Sequence, residues 1–340
     1  MTVELQAEEG INAMGKYCKT PEGYEYYDGD TWIVGDENTD DCYVFDDEEL
    51  ATWFRFRRGV WEMSKGSQAT DNGNFFLTPA ERDEVLRKEP GLKKFIRQTM
   101  GSREFIQGKK RYCFWLVDAS PADIKKSKIL YERVKNVKEF RLQSKSKATQ
   151  RSADKPHLFQ GIRQPDTEYL LIPIVSSENR QYIPMGYVSP DVIVTDLAFS
   201  LPHATPYHFG ILTSSTHMAW MRYVCGRLEM RYRYSNTLVY NNFVFPKSNP
   251  LQVKKIDAAG QKILDVRAKY PECTFADLYD EVSMPSDLRQ AHRENDAAVI
   301  EAYGWDKDIT EYDIVINLFK LNYQLTGREM PEYDGKTAGQ

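Results

Sequence analysis

Residues 227–243, RLEMRYRYSNTLVYNNF, are rich in side chains that can hydrogen-bond to other polar molecules. Their sequence pattern is typical of an extended backbone. In an extended strand alternate side chains share a face, so Glu229, Arg231 and Arg233 are expected to line up together. A Glu carboxylate accepts from cytosine N4, and an Arg guanidinium donates bidentately to guanine O6 and N7. The spacing therefore suits the reading of a G·C base pair. An ion pair on a sheet surface explains it equally well.

The other polar and aromatic residues around this stretch favour structural roles. Three tyrosines are expected to point partly inward and pack in the core: Tyr232, Tyr234 and Tyr240. Asn241 and Asn242 have the groups to read adenine, but their place near a strand end favours hydrogen bonds to the backbone. His217, in the first turn of a predicted helix, is expected to cap or pack.

The charge of the chain is unevenly distributed, although its formal net value is only −5. Residues 1–60 carry a net charge of −10, whereas Lys125–Lys155 contains eleven Lys or Arg and three acids, a net of +8. A local basic patch is typical of proteins that bind polyanions. Within it, Lys145, Lys147 and Arg151 alternate with Ser and Thr in SKSKATQRS, a composition suited to phosphate groups. The alternative is a mobile, solvated basic loop.

The elements that must position these residues can be predicted from caps and hydrophobic periodicity. Thr78 and Glu81 form a capping box that predicts a helix to about Glu89, and Ser120 begins another helix that carries the basic run. Residues 111–118, 167–177, 180–188 and 191–199 read as β segments. Ser214 or Ser215 begins a helix predicted to reach Glu229, followed by an extended segment that ends at Pro246.

From about Leu251 the pattern is helical, with further helices predicted over Ser286–Tyr303 and Thr310–Thr326. The fold class is therefore α+β: a mixed β-sheet domain with flanking helices, followed by a small helical C-terminal subdomain. We expect an acidic N-terminal segment over 1–66 with strands within 27–34 and 41–45 and a helix over 46–58. The β-sheet domain is expected over 67–250, the helical subdomain over 251–330 and a tail over 331–340.

Several classes of protein are disfavoured by what the sequence lacks. No apolar run approaches the ~20 residues of a membrane helix and no signal peptide is visible, so we expect a cytoplasmic protein. The five cysteines lie far apart, without a Cys-x-x-Cys pair. The chain has no Pro-Pro, no Gly-x-Gly and no His-Glu-x-x-His. By itself the chain is therefore predicted to be non-catalytic, with no metal or cofactor of its own.

Long blocks in order, among them GSREFIQGKKRYCFWL (101–116), YHFGILTSSTHMAWMRYVCGRL (207–228) and YRYSNTLVYNNFVFP (232–246), resemble the C-terminal half of MmeI-like proteins. These are bacterial type IIL restriction–modification enzymes, which join a nuclease, an adenine-N6 methyltransferase, a target-recognition domain and a helical end. The resemblance implies that Glu229, Arg231 and Arg233 read bases. It places further DNA-contacting positions near the corner at Ser177 and Arg180 and near Asp196.

The resemblance thus implies a specificity region that binds double-stranded DNA, with Ser177 and Asp196 as further base readers. Lys145, Lys147, Arg151 and Arg180 are the expected phosphate contacts. A methyltransferase domain, in cis or in trans, would be its partner and would use S-adenosylmethionine. Two alternatives stay open: a DNA methyltransferase activity as part of a larger chain, and a protein-interaction scaffold whose DNA binding has decayed.

Overall fold

The computed structural model describes residues 62–326, together with four short strands that precede them. Residues Met1–Glu62 form one compact unit and Met63–Gln340 another. The four early strands pair antiparallel in chain order: β1 (Lys16–Thr20), β2 (Gly23–Tyr27), β3 (Trp32–Gly35) and β4 (Cys42–Phe45). The last two confirm the predicted strands, whereas the helix predicted over 46–58 lies outside the described residues.

The second unit carries the remaining strands and all of the described helices. Its strands are β5 (Ser64–Lys65), β6 (Phe76–Leu77), β7 (Ile96–Met100), β8 (Tyr112–Phe114), β9 (Tyr169–Pro173), β10 (Val175–Ser176), β11 (Gly186–Val188), β12 (Ile193–Val194), β13 (Ala198–Pro202), β14 (Gly226–Leu228) and β15 (Arg231–Arg233). Its helices are α1 (Pro79–Lys88), α2 (Ser102–Gln107), α3 (Pro121–Lys126), α4 (Lys128–Leu142), α5 (Lys147–Ser152), α6 (Pro206–Leu212), α7 (Ser215–Val224), α8 (Pro250–Arg267), α9 (Phe275–Leu278), α10 (Ser286–Ala302) and α11 (Glu311–Thr326).

Two four-stranded sheets form the body of the β-sheet domain. In the first, of order β12-β7-β8-β6, β12 runs parallel to β7 and the other pairs are antiparallel. It packs on α1 and α4 around a core that includes Phe75, Phe114 and Leu130. The second sheet, of order β11-β9-β13-β5, is antiparallel, and every residue of β9 is buried. The mixture of sheets and flanking helices confirms the α+β prediction.

Local caps account for several of the helix starts. Thr78 accepts from the backbone N–H of Glu81 while the Glu81 carboxylate accepts from Thr78, which completes the predicted capping box of α1. Ser120 with Asp123 does the same for α3, and Ser214 caps α7. In the helical subdomain, α10 and α11 confirm the two predicted helices to within a residue at each end.

The helical subdomain packs closely against the β-sheet domain where α6 crosses α8. A Cβ at Gly260 of α8 would lie 2.4 Å from the Pro206 carbonyl oxygen, and one at Gly210 of α6 would lie 2.8 Å from Asn295 Oδ1. The Asn295 amide donates to the Gly210 carbonyl across 2.7 Å. Side chains at either glycine would force the helices apart, so these glycines set the distance between the two parts.

A buried polar network also joins the helical subdomain to the β-sheet domain. Arg267 donates to the carbonyl of Met185 and to the Tyr279 hydroxyl, which contacts His292 Nε2 at 2.9 Å. The Tyr182 hydroxyl donates to Asp296 Oδ2 across 2.6 Å, and the other carboxylate oxygen accepts from the N–H of Ser215 in the first turn of α7. The position of α7, and of the segment after it, is thereby fixed by α10.

Asp296 is expected to make stability depend on pH. Burial raises the pKa of its carboxyl from 3.8 to about 6, while the bonds from Tyr182 and Ser215 oppose that rise. Because the folded carboxyl holds its proton more tightly than the unfolded one, this group destabilises the fold as the pH rises from about 4 to about 6, by on the order of 2–3 kcal/mol.

Asp296→Asn, which keeps one acceptor and the shape, should remove that contribution. Urea unfolding of both proteins between pH 4 and pH 7 measures it. The free energy of unfolding of the variant should rise relative to that of the natural protein as the pH rises. Parallel stability curves across this range would show that Asp296 is not the group responsible.

Candidate nucleic-acid interface

The segment after α7 is a β-hairpin, not the continuation of a helix. Helix α7 ends at Val224, so the prediction that it reaches Glu229 is wrong. Strands β14 and β15 pair antiparallel, with Leu228 opposite Arg231 and a two-residue turn, Glu229–Met230, between them. Gly226 directly follows the last helical turn, where glycine commonly ends a helix, and the chain reverses two residues later.

The pairing defines two faces of the hairpin, of which one carries the buried Tyr232 with the exposed Arg227 and the other is exposed throughout. Directly opposite residues of an antiparallel pair lie on the same face. Arg227 is opposite Tyr232, and its guanidinium lies 4.1 Å above that ring, while Tyr232 itself is buried. On the other face lie Arg231 and Arg233, both exposed, with Leu228 and Gly226 as their partners. We call this side, residues 226, 228, 231 and 233, the exposed hairpin face.

Glu229 joins the two arginines from the turn and not from a shared strand. The expectation that all three alternate along one strand is therefore wrong for Glu229. Glu229 and Arg231 nevertheless come together, since Arg231 Nη2 donates to Glu229 Oε2 across 2.7 Å. Their side chains are 45% and 77% exposed, so the pair contributes little to stability and can exchange for other partners.

Glu229 also adopts an uncommon backbone conformation. Its φ is +57°, in the left-handed region that Gly, Asn and Asp tolerate better than Glu. The two-residue turn imposes this positive φ on its first position, where Gly, Asn or Asp is the usual residue and a glutamate is uncommon. The carboxylate at the hairpin tip is therefore a candidate for a functional group.

Strand β10 extends the exposed hairpin face to Ser177. Val175 pairs with Arg233 and Ser176 with Tyr232. Ser177 directly follows the end of β10, and extending the register by one residue would place it opposite Arg231. Ser176 is buried like Tyr232, whereas Ser177 is only partly buried. The Ser177 hydroxyl accepts from the N–H of Asn179 across 3.3 Å. By register, the predicted base readers Ser177, Arg231 and Arg233 share one face.

Asp196 lies in the turn between β12 and β13, partly buried, and is connected to the hairpin through Ser102. Ser102 Oγ donates to the carbonyl of Leu197, next to Asp196, and accepts from the N–H of Ile174, just before β10. The N–H of Tyr234 in turn donates to the Ile174 carbonyl. This chain of bonds fixes the Asp196 turn relative to β15.

The basic cluster Lys145, Lys147 and Arg151 lies on α5 and the loop before it, with all three side chains exposed. The backbone around this cluster is held by Arg141, which is fully buried at the end of α4. Arg141 donates to five carbonyl oxygens, those of Ala69, Thr70, Ser152, Lys155 and Leu158. Burial lowers the pKa of this guanidinium, and the nearby Asp71 carboxylate opposes that effect.

One stretch of backbone, from Met63 to Ala69, connects the hairpin region to the basic cluster. The carbonyl of Met63 accepts from the Asn236 amide just after the hairpin, that of Ser67 accepts from the N–H of Asp196, and that of Ala69 accepts from Arg141. Six residues span at most about 22 Å when extended. The backbone positions that anchor the three predicted contact regions therefore lie within about 22 Å of one another, which is less than the ~34 Å of one turn of a B-form duplex.

Arg180 differs from the other predicted phosphate contacts, because it is partly buried. Nη1 contacts Ser176 Oγ at 3.4 Å, and burial lowers the pKa of the guanidinium while the Asp280 carboxylate opposes this. The side chain lines a cavity of about 400 Å³ between the β10–β11 loop and the segment after α9, together with Asp280 and Glu281. The acids nearby make Arg180 a weaker candidate for an anion than the cluster on α5.

Comparison with known proteins finds two family models that match consecutive parts of the chain. Residues 55–247 match the family model described as MmeI, target recognition domain, and residues 248–329 match MmeI, C-terminal domain. The chain belongs to the MmeI family. The resemblance predicted from the sequence is thereby confirmed.

Two relatives of this MmeI-family chain are informative. DNA methyltransferase A of Bacillus subtilis (strain 168) is 35% identical over 263 residues, which cover 77% of this chain and 30% of that protein. A solved structure of the type IIL restriction–modification enzyme MmeI in complex with DNA matches with a TM-score of 0.78 and 35% identity, over 96% of this chain and 45% of that one. The chain thus spans less than half the length of these relatives.

The residues expected to be structural in this MmeI-family chain are so, except that the Asn241 side-chain oxygen, expected to bond to the backbone, is buried without a hydrogen-bond partner among the described residues. Tyr232, Tyr234 and Tyr240 are buried, and His217, also buried, contacts the Tyr234 hydroxyl at 2.9 Å. The Asn242 amide donates to the carbonyls of Thr237 and Leu238, as predicted. Across residues 62–326, no helix has the length and apolarity to span a membrane.

Three residues of the hairpin have places that the sequence pattern of this MmeI-family chain did not predict. Arg227 was not expected to cover Tyr232, and Leu228 and Met230 were not expected to be exposed, since all were assigned to a helix or its end. The signal that was available is Gly226. A glycine just past the last periodic residue ends a helix, and the alternation of RLEMRYRY then favours paired strands.

Proposed function

We propose that this chain is the region of a DNA-modifying system that recognises one short sequence in double-stranded DNA. The proposal rests on the exposed hairpin face, where Arg231 and Arg233 lie with Ser177 by register and with Glu229 at the tip. It is supported by the target-recognition family model and by the DNA-bound solved structure at 35% identity.

The geometry of a hairpin suits the major groove of DNA. That groove is ~12 Å wide and admits a two-stranded β-ribbon. Its base edges offer guanine O6 and N7 to arginine and cytosine N4 to a carboxylate. Because Glu229 already holds Arg231, the two can contact the two bases of a single G·C pair while their mutual bond is kept or exchanged.

Phosphate contacts would come from α5 and the loop before it. Lys145, Lys147 and Arg151 are exposed cations on a segment whose backbone is held in place by hydrogen bonds from Arg141. Such contacts set register and affinity but carry no sequence information, which the base contacts supply. In this proposal a methyltransferase domain, in cis or in trans, flips an adenine and transfers a methyl group from S-adenosylmethionine, while this chain positions it on the site.

Selection from a pool of randomised duplexes at low salt tests the proposal. We expect the full chain to enrich one short sequence and to bind it more tightly than a scrambled duplex. Equal binding of all duplexes, or none, would favour a protein-interaction scaffold instead. A methyl-transfer assay with the chain alone tests the alternative of an independent methyltransferase, and robust transfer would contradict the proposed division of labour.

Removal of the basic cluster is expected to weaken all DNA binding alike. In Lys145→Ala with Lys147→Ala and Arg151→Ala, the slope of log K against log salt should become shallower by ~3, about one for each lost phosphate contact. The preference among sequences should stay the same. Binding titrations at several salt concentrations measure both.

A control variant with the same charge change is available on the helical subdomain. Lys254→Ala with Arg293→Ala and Lys307→Ala also removes two lysines and one arginine, all exposed. If this control lowers the salt slope as much as the first variant, net charge explains the effect and α5 has no special part in it.

A further inference from the structure

Gly226 occupies a strand position that the fold itself does not require to be a glycine. Its φ lies outside the left-handed region, and a Cβ built there would have only the Arg233 carbonyl oxygen within 4 Å, at 3.9 Å. Gly226 is exposed and lies opposite Arg233. A glycine inside a strand often marks a place where a ligand or another backbone approaches closely. Since no protein atom needs this space, the space is available to a ligand.

Leu228 is the neighbour of Gly226 on the same face, two residues along β14. Its side chain is 42% exposed and lies opposite Arg231, so an apolar group stands between the gap and the hairpin tip. Exposed apolar side chains are common singly, but this one lies among the cations that are the proposed base readers. The exposed hairpin face therefore combines three features: the open space beside Gly226, which we call the gap, the apolar side chain of Leu228 next to it, and the guanidinium groups of Arg231 and Arg233.

We propose that the gap at Gly226, with Leu228 as its wall, receives the 5-methyl group of a thymine next to the G·C pair that the arginines read. This inference rests on the proposed function. Thymine's methyl is the apolar feature of the base edges in the major groove, and apolar side chains contact it there. The arginines select guanine by hydrogen bonds. Leu228 selects thymine by apolar contact with its methyl group, and Gly226 leaves the space that the methyl group occupies.

Replacement of thymine by uracil removes that methyl and nothing else from the base edge. In the duplex selected as above, each thymine is replaced in turn, and binding of the full chain is measured. We expect one replacement, next to the G·C position, to weaken binding about four-fold, as expected for one buried apolar carbon. Leu228→Ala should bind the thymine and uracil duplexes alike.

Gly226→Ala tests the gap from the opposite direction. Its added methyl group should fill the space, so that this variant binds the uracil duplex at least as well as the thymine duplex, with unchanged thermal stability. Matched controls are Gly91→Ala, where a Cβ meets nothing within 4 Å, and Leu251→Ala, an exposed leucine at the start of α8. Both controls should keep the full preference for thymine.

The outcomes separate this inference from the proposed function. A chain that selects no sequence refutes the proposed function and with it this inference. If the chain selects a sequence that has no thymine beside the G·C position, or is indifferent to every uracil, the thymine contact is wrong while target recognition stands. Retention of the four-fold preference by both Leu228→Ala and Gly226→Ala also overturns it.

Discussion

Exchange of the charges at the hairpin tip, in Glu229→Lys with Arg231→Asp, is expected to change the preferred base pair at one position of the bound sequence and to leave the others unchanged. Glu229 offers acceptors and Arg231 donors, so reversal of their signs reverses which bases they can contact. Each good bidentate contact discriminates by ~1–3 kcal/mol, so the original sequence should lose roughly ten-fold to a hundred-fold in affinity. Repeated selection from random duplexes with the variant measures the change.

The double variant keeps opposite charges at the two positions, whose charged side-chain atoms, Arg231 Nη2 and Glu229 Oε2, lie 2.7 Å apart in the natural pair. The turn is therefore expected to fold, and circular dichroism with thermal unfolding checks this. Glu229→Asn is the informative control, because Asn tolerates φ of +57° better than Glu. It should unfold at a higher temperature and yet discriminate less among base pairs. Unchanged preference in the folded double variant would refute base reading by this pair.

The sequence predicted most helix starts because their causes are local. Thr78 with Glu81, and Ser120 with Asp123, satisfy one another's backbone groups within four residues. The hairpin has a local signal in Gly226 and the alternation after it, but which of its faces is buried depends on a distant strand. Tyr232 is buried by its place between β10 and β14, and β10 lies more than fifty residues earlier in the chain. Periodicity within 215–229 cannot reveal such a partner.

The candidate site was predicted in composition but not in arrangement. Arg231 and Arg233 alternate on one face as expected, yet Glu229 reaches Arg231 from a turn and Ser177 lies just after the neighbouring strand β10. The turn that holds Asp196 is connected to this region through Ser102, which no sequence pattern indicated. A chemical motif in one segment thus predicts candidate groups, while the pairing of strands decides which face they occupy.

The basic run shows the limit of charge counting. Of its eleven Lys and Arg residues, Arg141 is fully buried and Arg133 is partly buried, where it donates to the Asn74 carbonyl. These two arginines bind the protein's own backbone, so they are not available to a polyanion. Composition cannot distinguish them from Lys145 or Arg151, because burial of an arginine depends on carbonyls contributed by remote segments.

Loss of Arg141 is expected to produce the largest change in stability. Arg141→Met keeps much of the side-chain length but leaves five buried or partly buried carbonyl oxygens without their donor. Bonds from a charged donor are stronger than neutral ones, and an unsatisfied buried acceptor costs its desolvation free energy. We expect the free energy of unfolding to fall by ~3–5 kcal/mol, measured by urea titration. Arg141→Lys should recover part of it, because an ammonium group cannot bond in the planar pattern of a guanidinium.

The exposed Arg151 provides a matched control for Arg141. Arg151→Met lies ten residues away on α5, and its unfolding free energy should change by no more than ~0.5 kcal/mol. The two variants should therefore differ in stability: Arg141→Met loses it, whereas Arg151→Met keeps it and loses only DNA affinity at low salt. Because Arg141 holds the carbonyls of Ser152 and Lys155 just after α5, Arg141→Lys should also weaken DNA binding without removing an exposed cation. A stable Arg141→Met with full affinity would show that the bonds of Arg141 neither hold the fold nor position α5.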